Sequence, residues 1–284
     1  MSLEQFRAEF ASALIGEGET LRFQPRDADE AARGMRSASR YGLSVALDPK
    51  GAQIVLDLSK FSGVLELDEG SRLIHLGAGT TLAEAESILR ERSMTLALPL
   101  DEASGSLPLY RALLAKLPGG VSPDDDPVRQ LVVGLEALLA DGRQLSIRPA
   151  PRRAVGPDFT LGILKSGGEL GFPLSFWLAY RAYAARDTLA FRFPSAEKAE
   201  IALAQIRGRG VRPLMARVDG EQLELELEEG PLHGAMQAIA LQIAEKYEGR
   251  RAVKESLNAI SELEETPDSP SLAPLFASIR GRRS

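Results

Sequence analysis

The chain has 284 residues, of which 44% are hydrophobic and 26% charged, and its net charge is −6. This length allows one large domain or two small ones and buries a core without disulfides. Cysteine is absent and only two histidines occur, which excludes thiolate metal sites, iron–sulfur clusters, cysteine nucleophiles and three-histidine metal centres. The acidic balance argues against a general nucleic-acid binder.

The sequence predicts neither a membrane-spanning helix nor a secretion signal. No uncharged apolar run reaches the roughly 18 residues that a transmembrane helix needs. The first ten residues are acidic and amphipathic and lack the basic start and apolar run of a signal peptide. We therefore expect a cytoplasmic protein that does not contact a membrane.

Up to residue 180 the pattern predicts short strands with only a few helices between them. Apolar residues at helical spacing indicate a first helix at 3–14, and Asp27 is expected to cap a second helix that ends near Tyr41. A third helix is predicted at 81–92. A further helical segment is expected at 107–117, and a short helix or turn at 159–164. Strands are expected at 21–23, 43–47, 54–58, 64–67, 73–76, 131–140, 144–147 and 174–178. This order is typical of an α+β fold rather than of strict strand–helix alternation.

After residue 185 a second unit is predicted. A strand at 189–193 precedes a helix that Ser195 caps, and the turn Asp219-Gly220 joins two more strands. Pro231 then opens a helix to about residue 247, and another helix is predicted at 250–264. We therefore divide the chain into a first domain at 15–185, a small α/β unit at 186–250, and a helix, linker and tail at 251–284.

Four stretches carry a resemblance to a known family. They are RFQPRDADEA at 22–31, IVLDLS at 54–59 with LGAGTTLAE at 76–84, VVGLEALLADG at 132–142, and GPDF at 156–159 with SGGELGF at 166–172. In this order and spacing they resemble the flavin-binding domain of the FAD-linked oxidases. These oxidases are of the vanillyl-alcohol oxidase and p-cresol methylhydroxylase (PCMH) type and include the FAD-binding subunits of glycolate oxidase. The start FPSxxxA at 193–199 is similar to the family's cap domain, here reduced in size.

The resemblance implies a PCMH-type FAD-binding domain of the α+β class, with FAD as cofactor and no metal. It assigns no catalytic residue, because the C-terminal segment that carries such residues in larger relatives is missing. The cofactor contacts that it implies are Gly77, Ala78, Gly79, Thr80, Ser106, Gly168, Leu170 and Gly171.

Three departures from the family pattern affect the expected phosphate contacts. The loop at 47–52 is short and has one glycine, with Asp48 adding negative charge and Pro49 lacking an N–H donor. Leu107-Pro108-Leu109 follows Ser106 where the family has a glycine pair, and Lys165 replaces the first glycine before 166–171. With these departures, the chain resembles a degenerate member of the family.

Two functions remain open at this point. In the first, the chain is a pseudoenzyme with weakened or lost FAD binding that acts as a non-catalytic subunit or binding module. In the second, it is a working FAD-dependent oxidoreductase subunit whose missing groups come from a partner chain.

Several single features are interpreted as structural. His75 is expected to be a hydrogen-bonded strand histidine, His233 a surface residue, and the three aspartates at 124–126 a solvated loop. The alternating Glu224, Glu226 and Glu228 are expected to form the solvent-exposed face of a strand. The aromatic residues Phe172, Phe176, Trp177 and Tyr180 are expected to form a core cluster.

The C-terminal segment is either a disordered end or a docking peptide for a protein partner. A polar linker at 264–270 contains two prolines. The segment from Ser271 to Ser284 then carries four apolar residues, Leu272, Leu275, Phe276 and Ile279, followed by three arginines. Short tags of this layout direct some bacterial proteins to partners or protein shells.

Overall fold

The computed structural model of the protein describes residues 2–16, 20–47, 52–98, 100, 102–114, 131–150, 159–166 and 168–252. Its helices are α1 (Ser2–Glu9), α2 (Ala28–Tyr41), α3 (Leu82–Arg90), α4 (Glu102–Gly105), α5 (Leu109–Leu114), α6 (Phe159–Lys165), α7 (Ala196–Gly208) and α8 (His233–Lys246). Its strands up to residue 147 are β1 (Leu14–Ile15), β2 (Leu21–Phe23), β3 (Val45–Ala46), β4 (Ile54–Leu56), β5 (Val64–Asp68), β6 (Leu73–Gly77), β7 (Met94–Thr95), β8 (Val132–Leu139) and β9 (Gln144–Ile147). The later strands are β10 (Gly171–Ala179), β11 (Arg181–Ala182), β12 (Arg186–Arg192), β13 (Met215–Asp219), β14 (Gln222–Glu228) and β15 (Arg250–Ala252).

Two sheets share the first hydrophobic core. The first sheet has the order β1-β2-β4-β3, in which β2, β4 and β3 run parallel and β1 is antiparallel to β2. The second sheet is antiparallel with the order β5-β6-β10-β8-β9. A single cluster of buried side chains runs from Phe6 to Tyr180 and includes residues of both sheets and of α2 and α3.

A third sheet has its own core. It has the order β13-β14-β12-β15 and is antiparallel throughout. Leu189, Phe191 and Leu225 of this sheet pack with Ala199 of α7 and Ala240 of α8. This layered unit follows from the alternation of apolar and polar residues along β12 and β14.

The helix boundaries follow from local capping. The Asp27 carboxylate accepts a hydrogen bond from the N–H of Glu30 at 2.8 Å, and the Ser195 hydroxyl accepts one from Lys198, as predicted for both caps. Thr81 and Glu84 form a reciprocal capping box at α3. Gly42 ends α2 with a φ of 66°, a left-handed conformation that favours glycine.

Two predicted helices differ from the structure. The helix expected at 3–14 ends at Glu9, because a short 3₁₀ turn at Ala11–Ala13 leads into β1, which pairs with β2. The helix expected at 250–264 is wrong at its start, since Arg250–Ala252 pairs with β12 as an edge strand. The rest of that segment lies outside the described residues, as does the tail.

The acidic residues of β14 do not form a solvent-exposed face, and the sequence-based interpretation was wrong on this point. Glu224 is 5% exposed. Glu226 pairs with Arg186 at 2.9 Å, and Glu228 pairs with Arg181 at 2.5 Å. Within the described part of the chain, no helix is long and apolar enough to cross a bilayer.

Candidate functional site

The loop at 77–80 leads from β6 to α3 and contains four of the predicted cofactor contacts. Each of its four backbone N–H groups donates to an acceptor of the chain itself. The donor–acceptor pairs and their N···O distances are Gly77–Gly63 (3.0 Å), Ala78–Leu174 (2.9 Å), Gly79–Phe61 (2.7 Å) and Thr80–Gly77 (3.0 Å). The Thr80 hydroxyl, which is also buried, accepts from the N–H of Gly63 at 2.9 Å. The donors that a phosphate nest would use are therefore engaged inside the protein.

The two glycines of this loop lie against the chain that follows β4. A Cβ atom on Gly77 would lie 2.2 Å from the carbonyl oxygen of Phe61. A Cβ atom on Gly79 would lie 2.4 Å from the carbonyl oxygen of Leu58 and 2.8 Å from the Cα of Ser59. Both positions require glycine because a neighbouring backbone occupies the space of a side chain.

The segment after Ser106 is hydrogen-bonded to the loop at 77–80. Leu109 donates to the carbonyl of Thr80 at 2.8 Å, and Tyr110 donates to that of Ala78 at 2.9 Å. The Leu109 side chain is fully buried. Ser106 itself is exposed, and its hydroxyl donates to the carbonyl of Ala103 at 2.7 Å. The structure thus brings the regions 77–80 and 106–110 together and joins them by direct backbone hydrogen bonds.

The remaining predicted contacts lie at the start of β10. Gly168 has a φ of 101°, and a Cβ atom there would lie 2.9 Å from the Phe172 ring. A Cβ atom on Gly171 would lie 2.7 Å from the carbonyl oxygen of Leu138 in β8. Leu170 packs against the first core. These positions have clear packing roles, and a role in FAD binding stays a prediction for all eight residues.

A cavity of about 330 Å³ opens beside this loop. It is lined by Arg26 and Asp27, which follow β2, by Lys60 and Ser62, which follow β4, and by residues of the second sheet. Ligands of open α/β sheets bind at the carboxyl ends of parallel strands, and β2 and β4 end here. The volume lies at the lower end of the range of small-molecule pockets, about 300–1,000 Å³.

Asp57 fixes the edge of the parallel strands from which these loops leave. Its carboxylate accepts hydrogen bonds from Arg22 at 2.8 Å, from Gln24 at 3.2 Å and from the N–H of Ser59 at 2.9 Å. Burial raises the pKa of Asp57, but the hydrogen bonds from Ser59 and the positive charge of Arg22 outweigh this effect and lower the pKa overall. The ionised carboxylate therefore ties the ends of β2 and β4 together.

A chain of three polar side chains reaches the wall of the cavity from inside the second sheet. His75 Nε2 lies 2.8 Å from Ser175 Oγ, which in turn donates to Glu136 Oε2 at 3.2 Å. His75 and Ser175 are buried, whereas Glu136 is exposed and lines the cavity with Ser175. The indole of Trp177 stacks on the imidazole with ring centroids 4.4 Å apart.

Burial favours the neutral form of this histidine. It lowers the pKa of His75, and the negative charges of Glu136 and Glu66 oppose the shift only in part. A carboxylate only accepts hydrogen bonds, so the Ser175 hydroxyl donates to Glu136 and His75 Nε2–H donates to Ser175. The direction of the chain is therefore fixed from His75 to Glu136.

The sequence-based interpretation of His75 as a hydrogen-bonded strand histidine agrees with this geometry. The aromatic cluster divides, since Phe172, Phe176 and Tyr180 belong to the first core whereas Trp177 lies on the opposite face. His233 is not a free surface residue, because its side chain is 19% exposed and Nε2 lies 3.6 Å from Asp187 Oδ2.

Sequence reasoning missed Glu136 and Ser175. Each is a single polar residue within an apolar run of a predicted strand, and that interruption was the available signal. Their pairing across β8 and β10 is visible only in the register of the sheet. In the described ranges, no group of three or more His, Asp or Glu is placed to hold a metal ion. The loop at 48–51 and the aspartates at 124–126 lie outside those ranges.

Comparison with known proteins finds sequences and folds that are similar to this chain. The family described as "FAD binding domain" matches residues 20–148. The uncharacterized FAD-linked oxidoreductase YgcU of Escherichia coli K12 is 28% identical over 197 residues, covering 66% of this chain and 39% of YgcU. The chain therefore spans about two fifths of the length of this curated relative.

Solved structures show the same fold at low sequence identity. Alkyldihydroxyacetonephosphate synthase matches with a TM-score of 0.67 and 18% identity over 81% of this chain and 51% of that protein. p-Cresol methylhydroxylase with substrate bound matches with a TM-score of 0.64 and 11% identity over 92% of this chain and 67% of that protein. The predicted α+β fold of the PCMH type is confirmed.

Proposed function

We infer that this chain, which belongs to the FAD-linked oxidase family through its FAD binding domain at residues 20–148, is a non-catalytic subunit or binding module. In this proposal FAD binding is weakened or lost, and the chain works in the cytoplasm with a protein partner. One observation carries it: the backbone N–H groups at 77–80 are all bonded within the chain.

FAD binding is expected to be weak because the phosphates would have to replace hydrogen bonds inside the protein. A pyrophosphate placed on this loop would need N–H donors that already hold the loop to Gly63, Phe61 and Leu174. Each hydrogen bond broken inside a protein without replacement costs about 1–3 kcal/mol. Leu109 adds to this cost, because its backbone N–H is bonded to the carbonyl of Thr80 and its side chain is fully buried.

Flavin content and affinity test the proposal. The full chain is purified without added FAD, its flavin content is measured by absorbance and by extraction, and FAD is then titrated while flavin fluorescence is followed. We expect a colourless protein with no saturable FAD binding at micromolar concentrations. Stoichiometric flavin in the purified protein, or tight binding in the titration, would contradict the proposal.

A second candidate function is an FAD-dependent oxidoreductase subunit that a partner chain completes. The cavity at the carboxyl ends of β2 and β4 favours it, because this is where ligands bind in sheets of this kind. Its test is the same titration in the presence of a co-expressed partner. Flavin that is retained only in the complex and is reduced on addition of a substrate would establish this function instead.

A further inference from the structure

The cavity of about 330 Å³ has a lining that is polar but balanced in charge. Arg26 is already paired with Glu30 at 2.8 Å, and Asp27 caps α2. Lys60 and Glu136 are the lining charges that these contacts leave to meet a ligand, one of each sign. The cavity therefore selects neither for anions nor for cations by net charge.

The other polar groups of the lining are neutral. Ser62, Ser146 and Gln144 contribute hydroxyl and amide groups. Such groups donate and accept hydrogen bonds, and so they match a ligand that also does both, such as an alcohol. Phe61 and Leu145 add apolar surface on which the carbon skeleton of such a ligand packs.

The Glu136 carboxylate is held in place by buried polar neighbours. Ser175 donates to its Oε2 at 3.2 Å, and buried His75 fixes the Ser175 hydroxyl by donating to it at 2.8 Å. This support occupies one carboxylate oxygen and leaves acceptor sites on the other. Because the supporting groups are buried in the sheet, the carboxylate loses little conformational entropy when a ligand binds.

We propose that this cavity binds a neutral, polyhydroxylated small molecule, with Glu136 accepting a hydrogen bond from one of its hydroxyl groups. Ser175 and His75 are positioning residues that orient the Glu136 carboxylate. The site needs no phosphate contact, so it stands apart from the proposed loss of FAD binding.

Three sugar compounds with similar carbon skeletons but different charges test the proposed class of ligand. Glucose, gluconate and glucosamine are titrated against the full chain by calorimetry and by saturation-transfer NMR. We expect saturable glucose binding that is several-fold tighter than that of the anion or the cation. Absence of saturable glucose binding, or tighter binding of either charged compound, would overturn the proposal.

Matched carboxylate variants test the residue. Glu136→Gln should weaken glucose binding about tenfold, the usual effect of losing a hydrogen bond to a charged group. Glu66→Gln is the control, because Glu66 is also exposed, lies opposite His75 on the same sheet face, and does not line the cavity. Equal effects of the two variants would reject the assignment of Glu136.

Two further measurements separate positioning from folding and from cofactor binding. Ser175→Ala should weaken glucose binding while leaving the melting temperature within a few degrees of wild type. If it lowers the melting temperature strongly and leaves the affinity unchanged, the chain from His75 is structural and the positioning role is wrong. Displacement of bound glucose by FAD would show that the cavity is a cofactor site and would overturn the proposal.

Discussion

Gly79 shows how one residue type serves two different needs. A glycine before a helix allows a phosphate to approach the backbone, and it equally allows another stretch of the chain to approach. Here the approaching group is the carbonyl of Leu58, which would lie 2.4 Å from a Cβ atom. A substitution at this position therefore affects folding whether or not FAD binds.

We predict that Gly79→Ala lowers the free energy of unfolding by about 1–3 kcal/mol, the usual cost of overpacking a site that cannot relax. Urea denaturation measures the change. Gly234→Ala in α8 is the matched control, because no atom of the described residues lies within 4 Å of a Cβ atom there. Equal stability of Gly79→Ala and wild type would show that the segment at 58–59 moves freely.

His75 gives the molecule a specific acid sensitivity. Burial lowers the pKa of His75 in the folded state below its ordinary value of about 6.5. The unfolded chain therefore takes up a proton at a higher pH than the folded protein does. Above about pH 6.5 this histidine leaves the free energy of unfolding unchanged. As the pH falls from there toward the lowered folded-state pKa, the free energy of unfolding decreases.

We predict that His75→Gln flattens this part of the stability profile. Denaturant unfolding of wild type and variant is compared at several pH values from neutral down to the onset of carboxylate titration. The variant should be less stable at neutral pH, where it loses the fit to Ser175 and Trp177, and should lose less stability on acidification. Parallel profiles for the two proteins would exclude His75 as the source of the acid sensitivity.

At the scale of single elements, β14 shows how an alternating pattern is ambiguous. Alternation of glutamate and apolar residues predicts one solvent-exposed face and one buried face of the strand. The apolar face does pack on α7 and α8, but the glutamate face pairs with arginines of β11 and β12. Arg186 also donates to the carbonyl of Leu98 at 3.3 Å, so this face ties the third sheet to the first domain.

We predict that Glu226→Gln lowers the free energy of unfolding by about 1–3 kcal/mol, because it leaves a largely buried guanidinium without its charge partner. The two side chains of this pair are 18% and 15% exposed. Glu248→Gln is the control, since its pair with Lys198 is 70% exposed on the glutamate side and should contribute less than about 1 kcal/mol. Indistinguishable unfolding curves for the two variants would show that burial does not strengthen the Arg186 pair.

At the scale of the whole molecule, two separate cores are followed by a C-terminal segment that lies outside the described residues. The first core spans residues 6–180 and the second spans 189–244. The sequence from Ser271 to Ser284 joins them through a linker with two prolines. Its composition, four apolar residues and three arginines, suits an acidic, apolar groove on a protein partner.

We predict that truncation after Pro270 leaves the melting temperature unchanged and removes a partner from a pull-down. If the segment packed on its own domain, loss of a buried Leu or Phe would cost about 1.5–3 kcal/mol each. Replacing the four apolar residues with serine is the matched variant, because it keeps length and charge and should also abolish capture. A large drop in melting temperature would favour an intramolecular role, and an unchanged pull-down would leave an ordinary chain end.

The sequence by itself determined the local features of this protein. The caps Asp27 and Ser195 and the turn Asp219-Gly220 depend on backbone groups within about four residues, so their residue types were sufficient. The order of motifs from 22 to 172 was sufficient for the fold, because each motif marks a strand end or a helix start of the family. The edge strand at 250–252 was not predictable in this way, since its partner β12 lies about 60 residues earlier.

Only the tertiary structure decided which groups face one another across the sheets. His75 and Ser175 are 100 residues apart in the chain, and Ser175 and Glu136 are 39 apart. A shift of one residue in the register of β10 would turn Ser175 to the core and Phe176 to the cavity. The pairing of β10 with β6 and β8 therefore created the polar chain at the cavity. In the same way, tertiary contacts with the carbonyl groups of Gly63, Leu174 and Phe61 engaged the N–H groups of Gly77, Ala78 and Gly79, which the sequence alone had left available.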